Sequence, residues 1–267
     1  MAETTRGSGD RPRPETAGLI ERYEAVRSKV EAAARRSGHD PSRVILVAVT
    51  KYAELDDIRD LIEHGHRDFG ENRVQQLTQR AAMVDEWVRR RQRLGGGGTK
   101  QLELPRWHMI GHLQRNKSKQ VIEAARLIHS VDSLRLAEEL QAVGLKRERI
   151  TDVLIQVNVS QEESKFGCPV PAVEALATSI ESMAYLRCRG LMTMAPYADN
   201  PEDSRPYFSR LRDLYDDLLR VGVGEDAFNI LSMGMSGDYE VAIEEGANVV
   251  RVGSSIFGER RSPEADA

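Results

Sequence analysis

Lys51 is the residue of this chain whose type and position point most directly to covalent chemistry. Six apolar residues, 44–49, lead through Thr50 into Lys51, and a helical pattern follows within a few residues. Such a run predicts a buried strand that places a primary amine at its carboxyl end. A lysine amine that is withdrawn from water can attack a carbonyl and form a Schiff base, whereas an ordinary rim lysine pairs with a neighbouring carboxylate.

Two glycine- and serine-rich segments near the end of the chain suggest an anion site. "SMGMSGD" (232–238) and "VGSSIFG" (252–258) each follow a short apolar run. Glycine lets the backbone approach an anion, and the hydroxyls of Ser232, Ser254 or Ser255 can donate to it. Either segment alone is typical of a plain turn, but the pair favours a phosphate site. A phosphate beside a Schiff-base lysine is the combination that pyridoxal phosphate supplies.

Other polar residues receive structural interpretations from their sequence context. His64 and His66 lie at the end of a predicted helix, where a solvated or capping role is favoured over metal ligation, so no metal site is predicted. Asp238 is expected to cap the helix that follows it. His112 either contacts the rim of the site or orients its own loop. The basic cluster at 114–120 is interpreted as a solvated helix face.

Eight strand-like runs alternate with amphipathic helical segments along the chain. The runs cover residues 44–49, 67–69, 107–110, 127–131, 153–159, 187–192, 229–231 and 249–252. Eight such units predict an α/β fold, a single (β/α)8 TIM-type barrel, with a doubly wound open sheet as the alternative. No helix is expected after the last strand, so the leading helix, 16–36, is predicted to close the outer ring. The carboxyl ends of barrel strands form one functional face.

Composition and charge narrow the class of protein further. The chain has 267 residues, 40% of them hydrophobic and 30% charged, as in ordinary globular domains. We predict one barrel domain at 15–258 with a flexible glycine loop at 94–104, and disordered tails at 1–14 and 259–267. A net charge of -4 gives no reason to expect nucleic acid or an anionic membrane as partner. With no membrane-length apolar run and no signal core, a cytoplasmic location is expected.

Several segments resemble the signature of the pyridoxal phosphate homeostasis protein family. The likeness runs in order from about residue 19 to residue 258, through "VAVTK" (47–51), "FGENRVQ" (69–75), "WHMIGHLQRNKSKQVI" (107–122), "GLMTMAP" (190–196) and "LSMGMSGDYEVAIEEGANVVRVGSSIFG" (231–258). The family fold is a single (β/α)8 barrel similar to the N-terminal domain of bacterial alanine racemase. The resemblance therefore implies the same barrel that the strand pattern predicts.

The resemblance also implies a set of cofactor-binding residues. Lys51 would form the Schiff base with pyridoxal 5'-phosphate, Asn72 would lie beside the cofactor, and Arg251 would face the pyridine nitrogen. The phosphate would be held by Ser232, the Met233 backbone, Gly253 and Ser254. Lys165 matches a family lysine near the site entrance. Ala53 stands where many relatives carry a second polar or basic residue, so no second cofactor-passing lysine is expected at that position.

Three functions fit these residues. The favoured one is a carrier that holds pyridoxal phosphate on Lys51 for intracellular homeostasis, without strong turnover, and delivers it to recipient enzymes that depend on the cofactor. The second is an amino-acid racemase, which would need a second base from a further domain, and none is expected before the chain ends at Ala267. The third is a sugar-phosphate isomerase or aldolase. A single barrel of this kind is expected to be a monomer.

Overall fold

The structure, a computed structural model, describes residues 14–94, 102–162 and 166–258. Most of the predicted tails and glycine loop, together with Lys165, lie outside these residues. Nine strands occur in the described residues: β1 Ile45–Val49, β2 Asp68–Glu71, β3 Arg106–Met109, β4 Leu127–Val131, β5 Thr151–Asn158, β6 Cys168–Pro169, β7 Leu186–Met192, β8 Ile230–Ser232 and β9 Val249–Val252. The α-helices there are α1 Pro14–Arg36, α2 Leu55–His64, α3 Val74–Leu94, α4 Ser118–Ala124, α5 Leu134–Arg147, α6 Val173–Glu181, α7 Arg205–Arg220, α8 Tyr239–Glu244 and α9 Ser254–Phe257.

Eight parallel strands close into a barrel. Their order is β4-β3-β2-β1-β9-β8-β7-β5, and β4 pairs with β5 to complete the ring. The predicted (β/α)8 barrel is therefore confirmed, and the open doubly wound sheet is wrong. Each of the eight predicted strands is present with its ends within two residues of the predicted ones, because a run of buried apolar residues marks a parallel strand clearly.

Among the strands and α-helices of the described residues, two small elements were not predicted. β6 is a two-residue strand that pairs with the end of β5. The one-turn helix α9 follows β9, so the expectation that no helix follows the last strand is wrong. Neither element changes the ring, because β6 adds to the edge of β5 alone and α9 is too short to cover a strand.

The leading helix α1 fills the outer ring, as predicted. It packs against α8 and α9 on one side and against α2 on the other. The Arg22 side chain strengthens this contact by donating from Nε to the Ile256 carbonyl at 2.8 Å. Within the described residues, no helix combines the length and apolar character that a bilayer crossing requires.

Strand alternation divides the apolar residues between two cores. Leu46 and Ala48 of β1 belong to the large cluster shared with the helices, whereas Val47 belongs to a separate cluster with residues of five other strands. Since successive side chains of a strand point to opposite faces, the second cluster lies inside the barrel. Its buried members are Val47, Leu127, Leu154, Met192, Ile230 and Val249. The interior residues nearer the carboxyl ends of the strands include polar side chains, and these build the site.

Candidate functional site

The predicted site residues gather on four neighbouring strands, β8, β9, β1 and β2. Asn72 directly follows β2, and Lys51 lies two residues beyond β1. The pairing of Ala48 with Val252 sets the segment after β9 beside the segment after β1. Ser232, at the end of β8, pairs with the first residue of β9. One sector of the barrel mouth thus carries a lysine, an arginine, an amide and two loops rich in glycine and serine.

Lys51 projects from the rim of this sector. It is exposed, and its Nζ lies 4.7 Å from the centre of the Tyr52 ring. The prediction of a lysine withdrawn from water is therefore wrong for this structure. The physical reason is that β1 ends at Val49 and Thr50 is the last residue buried before Lys51, so Lys51 and Tyr52 stand outside the barrel.

The backbone on both sides of Lys51 is held firmly. Arg80 of α3 donates from Nη2 to the Ala53 carbonyl at 2.8 Å, and its Nη1 contacts the Thr50 carbonyl. The same Nη1 lies 2.6 Å from Oε1 of Glu71, a wholly buried carboxylate that also accepts from the Thr50 hydroxyl at 2.5 Å. The site therefore offers a mobile amine on a fixed loop. Sequence reasoning missed Arg80 and Glu71, although a carboxylate at the end of a buried strand is an available signal.

Asn72 sits next to this loop, with its backbone pressed against the β3 side of the mouth. Its side chain is exposed. A Cβ added to Gly111 would lie 2.1 Å from the Asn72 carbonyl oxygen, so only glycine allows the two segments to approach this closely. Asn72 is thereby placed at the rim beside the turn that carries Lys51.

Arg251 contrasts with Lys51 because its guanidinium is buried inside the barrel. Only 3% of the residue is exposed. Its Nη1 donates to Ser232 Oγ at 2.6 Å, and its Nη2 donates to the Thr193 carbonyl at 2.8 Å. Burial lowers the pKa of Arg251 to about 10, while the charge of Asp238 acts in the opposite direction. At neutral pH the side chain is therefore a fixed cation under the mouth.

Ser232 and Met233 lie inside the barrel, below the mouth at which a phosphate would bind. Both are wholly buried. The Ser232 hydroxyl contacts Arg251 and also lies 3.0 Å from Nδ1 of His129. The Met233 N–H donates to the Val249 carbonyl at 3.1 Å as part of the strand ladder. In this arrangement the polar groups of both residues are committed to barrel contacts.

Gly253 joins the two serine-rich loops at the mouth. Its N–H donates to Ser236 Oγ at 3.1 Å, and the Ser255 hydroxyl reaches the Ser236 carbonyl at 3.5 Å. A Cβ on Gly253 would lie 3.3 Å from both Cβ and the carbonyl oxygen of Val49, a tight fit at the end of β1. Ser254, which follows, is exposed. Ser236 was missed, although it stands within the quoted segment 232–238.

Asp238 does not act as the predicted cap of α8. It occupies the position before the helix, but its side chain makes no capping hydrogen bond. Instead, Oδ1 accepts from the Met235 N–H at 2.6 Å and closes the loop after β8. The short loop offers an N–H nearer to the carboxylate than those of the helix, and this local contact wins.

His112 lies on the part of the rim that follows β3, the strand next to β2 of the site sector. Its ring stacks on Phe166 with ring centres 4.3 Å apart, and Nδ1 lies 3.6 Å from the Asp132 carboxylate. It also lines a polar cleft of about 510 Å³ that reaches Asn72. His112 thus links the loops after β3, β4 and β5 and borders the site from that side.

The chain is similar to families of known proteins. The family described as alanine racemase, N-terminal domain, matches residues 22–261. A pyridoxal phosphate homeostasis protein from Aquifex aeolicus is 39% identical over 245 residues, which cover 90% of this chain and 98% of that protein.

Two solved structures have the same fold. The crystal structure of an unknown protein from Bifidobacterium adolescentis matches with a TM-score of 0.83 and 34% identity, covering 93% of this chain and 98% of that one. PipY of Synechococcus elongatus with PLP bound matches with a TM-score of 0.73 and 29% identity, covering 90% of this chain and 100% of that one. These likenesses extend across the barrel and both sides of the site.

Proposed function

Because the chain belongs to the pyridoxal phosphate homeostasis protein family, we propose that it binds pyridoxal 5'-phosphate at the barrel mouth and carries it as a Schiff base on Lys51. Its role is to hold and release the cofactor in intracellular homeostasis. The observation that carries this proposal is the convergence of an amine, a buried guanidinium and two serine-rich loops on neighbouring strands.

The residues of this sector fit the chemistry of the cofactor. Gly253 occupies a position that a Cβ would crowd, and the hydroxyls of Ser236 and Ser254 border it, as an anion site requires. Arg251 and Asn72 are the polar side chains that would border the ring of a cofactor held there. We assign the phosphate to the loops that carry Ser236, Gly253 and Ser254.

When bound, the cofactor supplies an aldehyde to which an amine can add. Lys51 would supply the amine that adds to this aldehyde, with release of one water. The contacts of Arg80 with the Thr50 and Ala53 carbonyls fix the turn, so the amine starts from a constant position. The exposed lysine side chain keeps the reach and freedom that bond formation and release both need.

Arg251 favours a carrier over a strong catalyst. A carboxylate opposite the pyridine nitrogen keeps that nitrogen protonated and makes the ring an effective electron sink. A guanidinium donates hydrogen bonds and repels a second positive charge, so the ring nitrogen stays unprotonated and carbanion chemistry is weak. The arginine therefore disfavours an aminotransferase, which relies on that electron sink, whereas a carrier and an amino-acid racemase are distinguished by turnover.

Borohydride trapping tests the proposal. Reduction of protein incubated with pyridoxal phosphate is expected to fix the label on Lys51, as read by peptide mass spectrometry, and Lys51→Ala is expected to abolish the label and the visible absorbance. Lys119→Ala, which removes an exposed lysine of α4, should retain both. Labelling that persists at another lysine in the Lys51→Ala protein contradicts the assignment.

A second measurement separates carrier from enzyme. Loaded protein is incubated with enantiopure alanine and with other enantiopure amino acids, and the chirality of each is followed. The carrier predicts no steady turnover. Sustained racemisation that is lost in Lys51→Ala would instead establish the racemase.

A further inference from the structure

A continuous series of hydrogen bonds crosses the barrel interior from Arg251 to Asp68. Arg251 Nη1 lies 2.6 Å from Ser232 Oγ, and that oxygen lies 3.0 Å from His129 Nδ1. His129 Nε2 is 2.9 Å from His108 Nδ1, and His108 Nε2 is 3.1 Å from Asp68 Oδ1. These five residues come from five different strands, so local sequence does not bring them together.

The series is shielded from water and ends at the amino side of the barrel. Ser232 and His129 are wholly buried, and His108 is 4% exposed. Asp68, the first residue of β2, also receives Nε and Nη2 of Arg106 at 2.8 and 2.5 Å. In a site of low dielectric constant, such a network is rigid only if each donor meets an acceptor.

The chemistry of the two ends fixes the direction of every bond. A guanidinium can only donate, and an ionised carboxylate can only accept. With neutral imidazoles, His108 donates from Nε2 to Asp68 and accepts at Nδ1 from His129. His129 then donates from Nε2 and accepts at Nδ1, so its partner there, the Ser232 hydroxyl, must donate. Ser232 therefore turns its lone pairs toward Arg251.

The charge states support this direction. Burial, together with the charge of Arg251, holds the pKa of His129 well below 6.5, so its ring is neutral. Burial alone would raise the pKa of Asp68, but hydrogen bonds from His108 and Arg106 outweigh burial and lower it, so the carboxylate is ionised. An imidazolium at His108 would instead make His129 donate from Nδ1 to Ser232 Oγ, and the serine proton would then lose its acceptor in the series.

We propose that Ser232, His129 and His108 are positioning residues for Arg251, and that Ser232 holds the guanidinium rather than the phosphate of the ligand. This inference rests on the proposed function for the identity of the ligand, but its geometry belongs to the protein alone. Ser232 and the Thr193 carbonyl fix two N–H groups of Arg251, and the two histidines prevent the serine hydroxyl from turning its proton toward the cation. The phosphate of the ligand is bound instead by the loops that carry Ser236, Gly253 and Ser254.

Binding of two ligands separates the two roles of serine. Affinities for pyridoxal phosphate and for pyridoxal, which lacks the phosphate, are measured for the wild type, Ser232→Ala and Ser236→Ala. Ser232→Ala is expected to weaken both ligands by a similar factor, leaving their ratio within about twofold of the wild type. Ser236→Ala is expected to weaken pyridoxal phosphate selectively, by about tenfold or more, since a hydrogen bond to a charged group is lost. Selective loss of pyridoxal phosphate in Ser232→Ala overturns the inference.

The ligand-free protein provides an independent test. Long-range ¹H–¹⁵N correlation spectra of histidine-labelled protein report the tautomer of each ring at neutral pH. Both His108 and His129 are expected as neutral Nε2–H tautomers, and Ser232→Ala should remove the bias at His129 while Ser232→Thr restores it. An Nδ1–H tautomer or an imidazolium at either position refutes the directed series. A wild type that binds no pyridoxal phosphate sinks the proposed function but leaves this tautomer test standing.

Matched substitutions at His129 complete the design. His129→Gln keeps one acceptor and one donor, whereas His129→Leu removes both. Ligand affinity is expected to be closer to the wild type in the glutamine variant, and the two ligands should weaken in parallel in the leucine variant. Equal affinities in the two variants would mean that the ring contributes only volume, and the positioning role would be wrong.

Discussion

The two sides of the barrel mouth are built on opposite plans. We call the turn after β1 with Thr50, Lys51, Glu71 and Arg80 the Lys51 wall, and β8 and β9 with Ser232, Arg251 and their loops the Arg251 wall. On the Lys51 wall, the backbone is fixed by a buried carboxylate and an arginine, while the functional amine is exposed. On the Arg251 wall, the functional side chain itself is buried and hydrogen-bonded to fixed acceptors.

The difference matches what each group must do in the proposed carrier. An amine that forms and later breaks a covalent bond needs reach and access to water. A guanidinium that sets the protonation of a ring nitrogen needs a constant position and a fixed charge, because electrostatic effects depend on preorganised groups. On the Lys51 wall the buried contacts therefore hold the backbone, and on the Arg251 wall they hold the functional side chain.

Removal of Arg80 should break the Lys51 wall and give the largest effect. Arg80→Met leaves the wholly buried Glu71 carboxylate without its cation, and an unpaired buried charge costs about 3–5 kcal/mol of unfolding free energy. Urea denaturation measures the loss. Arg27→Met, which removes an exposed ion pair on α1, should cost no more than about 1 kcal/mol. Equal losses in the two variants would show that the buried pair does not hold the loop.

Acid should weaken the Arg251 wall through His129. The pKa of His129 in the folded protein lies well below 6.5. Above pH 6.5 the ring is neutral in both states and costs no stability. Below pH 6.5 the unfolded chain takes up the proton before the folded protein does, so the free energy of unfolding falls as the pH falls. Each such ring steepens the decline by up to about 1.4 kcal/mol per pH unit. His66, whose pKa burial lowers to about 4, adds a similar decline from the amino end of the barrel.

Unfolding free energies measured between pH 7 and pH 4 test the predicted loss of stability in acid. Both His129→Gln and His66→Gln should show a shallower decline than the wild type, because neither replacement titrates in this range. A slope in His129→Gln equal to that of the wild type would mean that His129 is already charged in the folded protein, which would contradict the neutral ring that contacts Ser232 of the Arg251 wall.

A substitution at Gly111 tests the close packing of the Asn72 backbone beside the Lys51 wall. Gly111→Ala places a methyl group 2.1 Å from the Asn72 carbonyl and should cost about 1–3 kcal/mol in unfolding free energy, because the backbone must shift. Ligand affinity should fall as well, since Asn72 moves with its backbone. Gly237→Ala, in the loop of the Arg251 wall, meets no atom within 4 Å and should change stability by about 0.5 kcal/mol at most. Similar costs at both positions would contradict the close approach at Asn72.

The smallest effect is expected at Tyr52. Its ring lies under the Lys51 ammonium, and an exposed cation–π contact contributes about 0.5–1 kcal/mol. Tyr52→Leu should therefore shift the equilibrium for pyridoxal phosphate loading by no more than about fivefold, in favour of loading, because the free ammonium loses stabilisation. Absorbance titration measures this shift. A loss of loading beyond tenfold would indicate that the tyrosine contributes more than its ring face.

The barrel was predictable from the sequence because strands that are buried on both faces consist of continuous apolar runs. The runs at 127–131 and 249–252 coincide with β4 and β9, and the short second and seventh runs were misplaced by one or two residues. The strand pattern supplied Lys51 as a candidate, and the resemblance to the family supplied Arg251. Their opposite exposures were not predictable, because exposure depends on where β1 and β9 stop relative to the mouth.

The residues that hold Lys51 and Arg251 in place could be identified only from the folded structure. Arg80 lies in the middle of an amphipathic helix, 30 residues from the Thr50 carbonyl that it contacts, and nothing in its neighbourhood marks it. His129 and Ser232 are 103 residues apart, and each reads alone as a polar residue in a strand.

What the sequence by itself determined, then, is the order of strands and helices and the chemical groups delivered to the mouth, since both depend on local pattern. Which of these groups face one another, which are dry and which way their hydrogen bonds run was decided by closure of the barrel. The physical reason is that closure brings strands that are distant in the chain within hydrogen-bonding distance and excludes water between them.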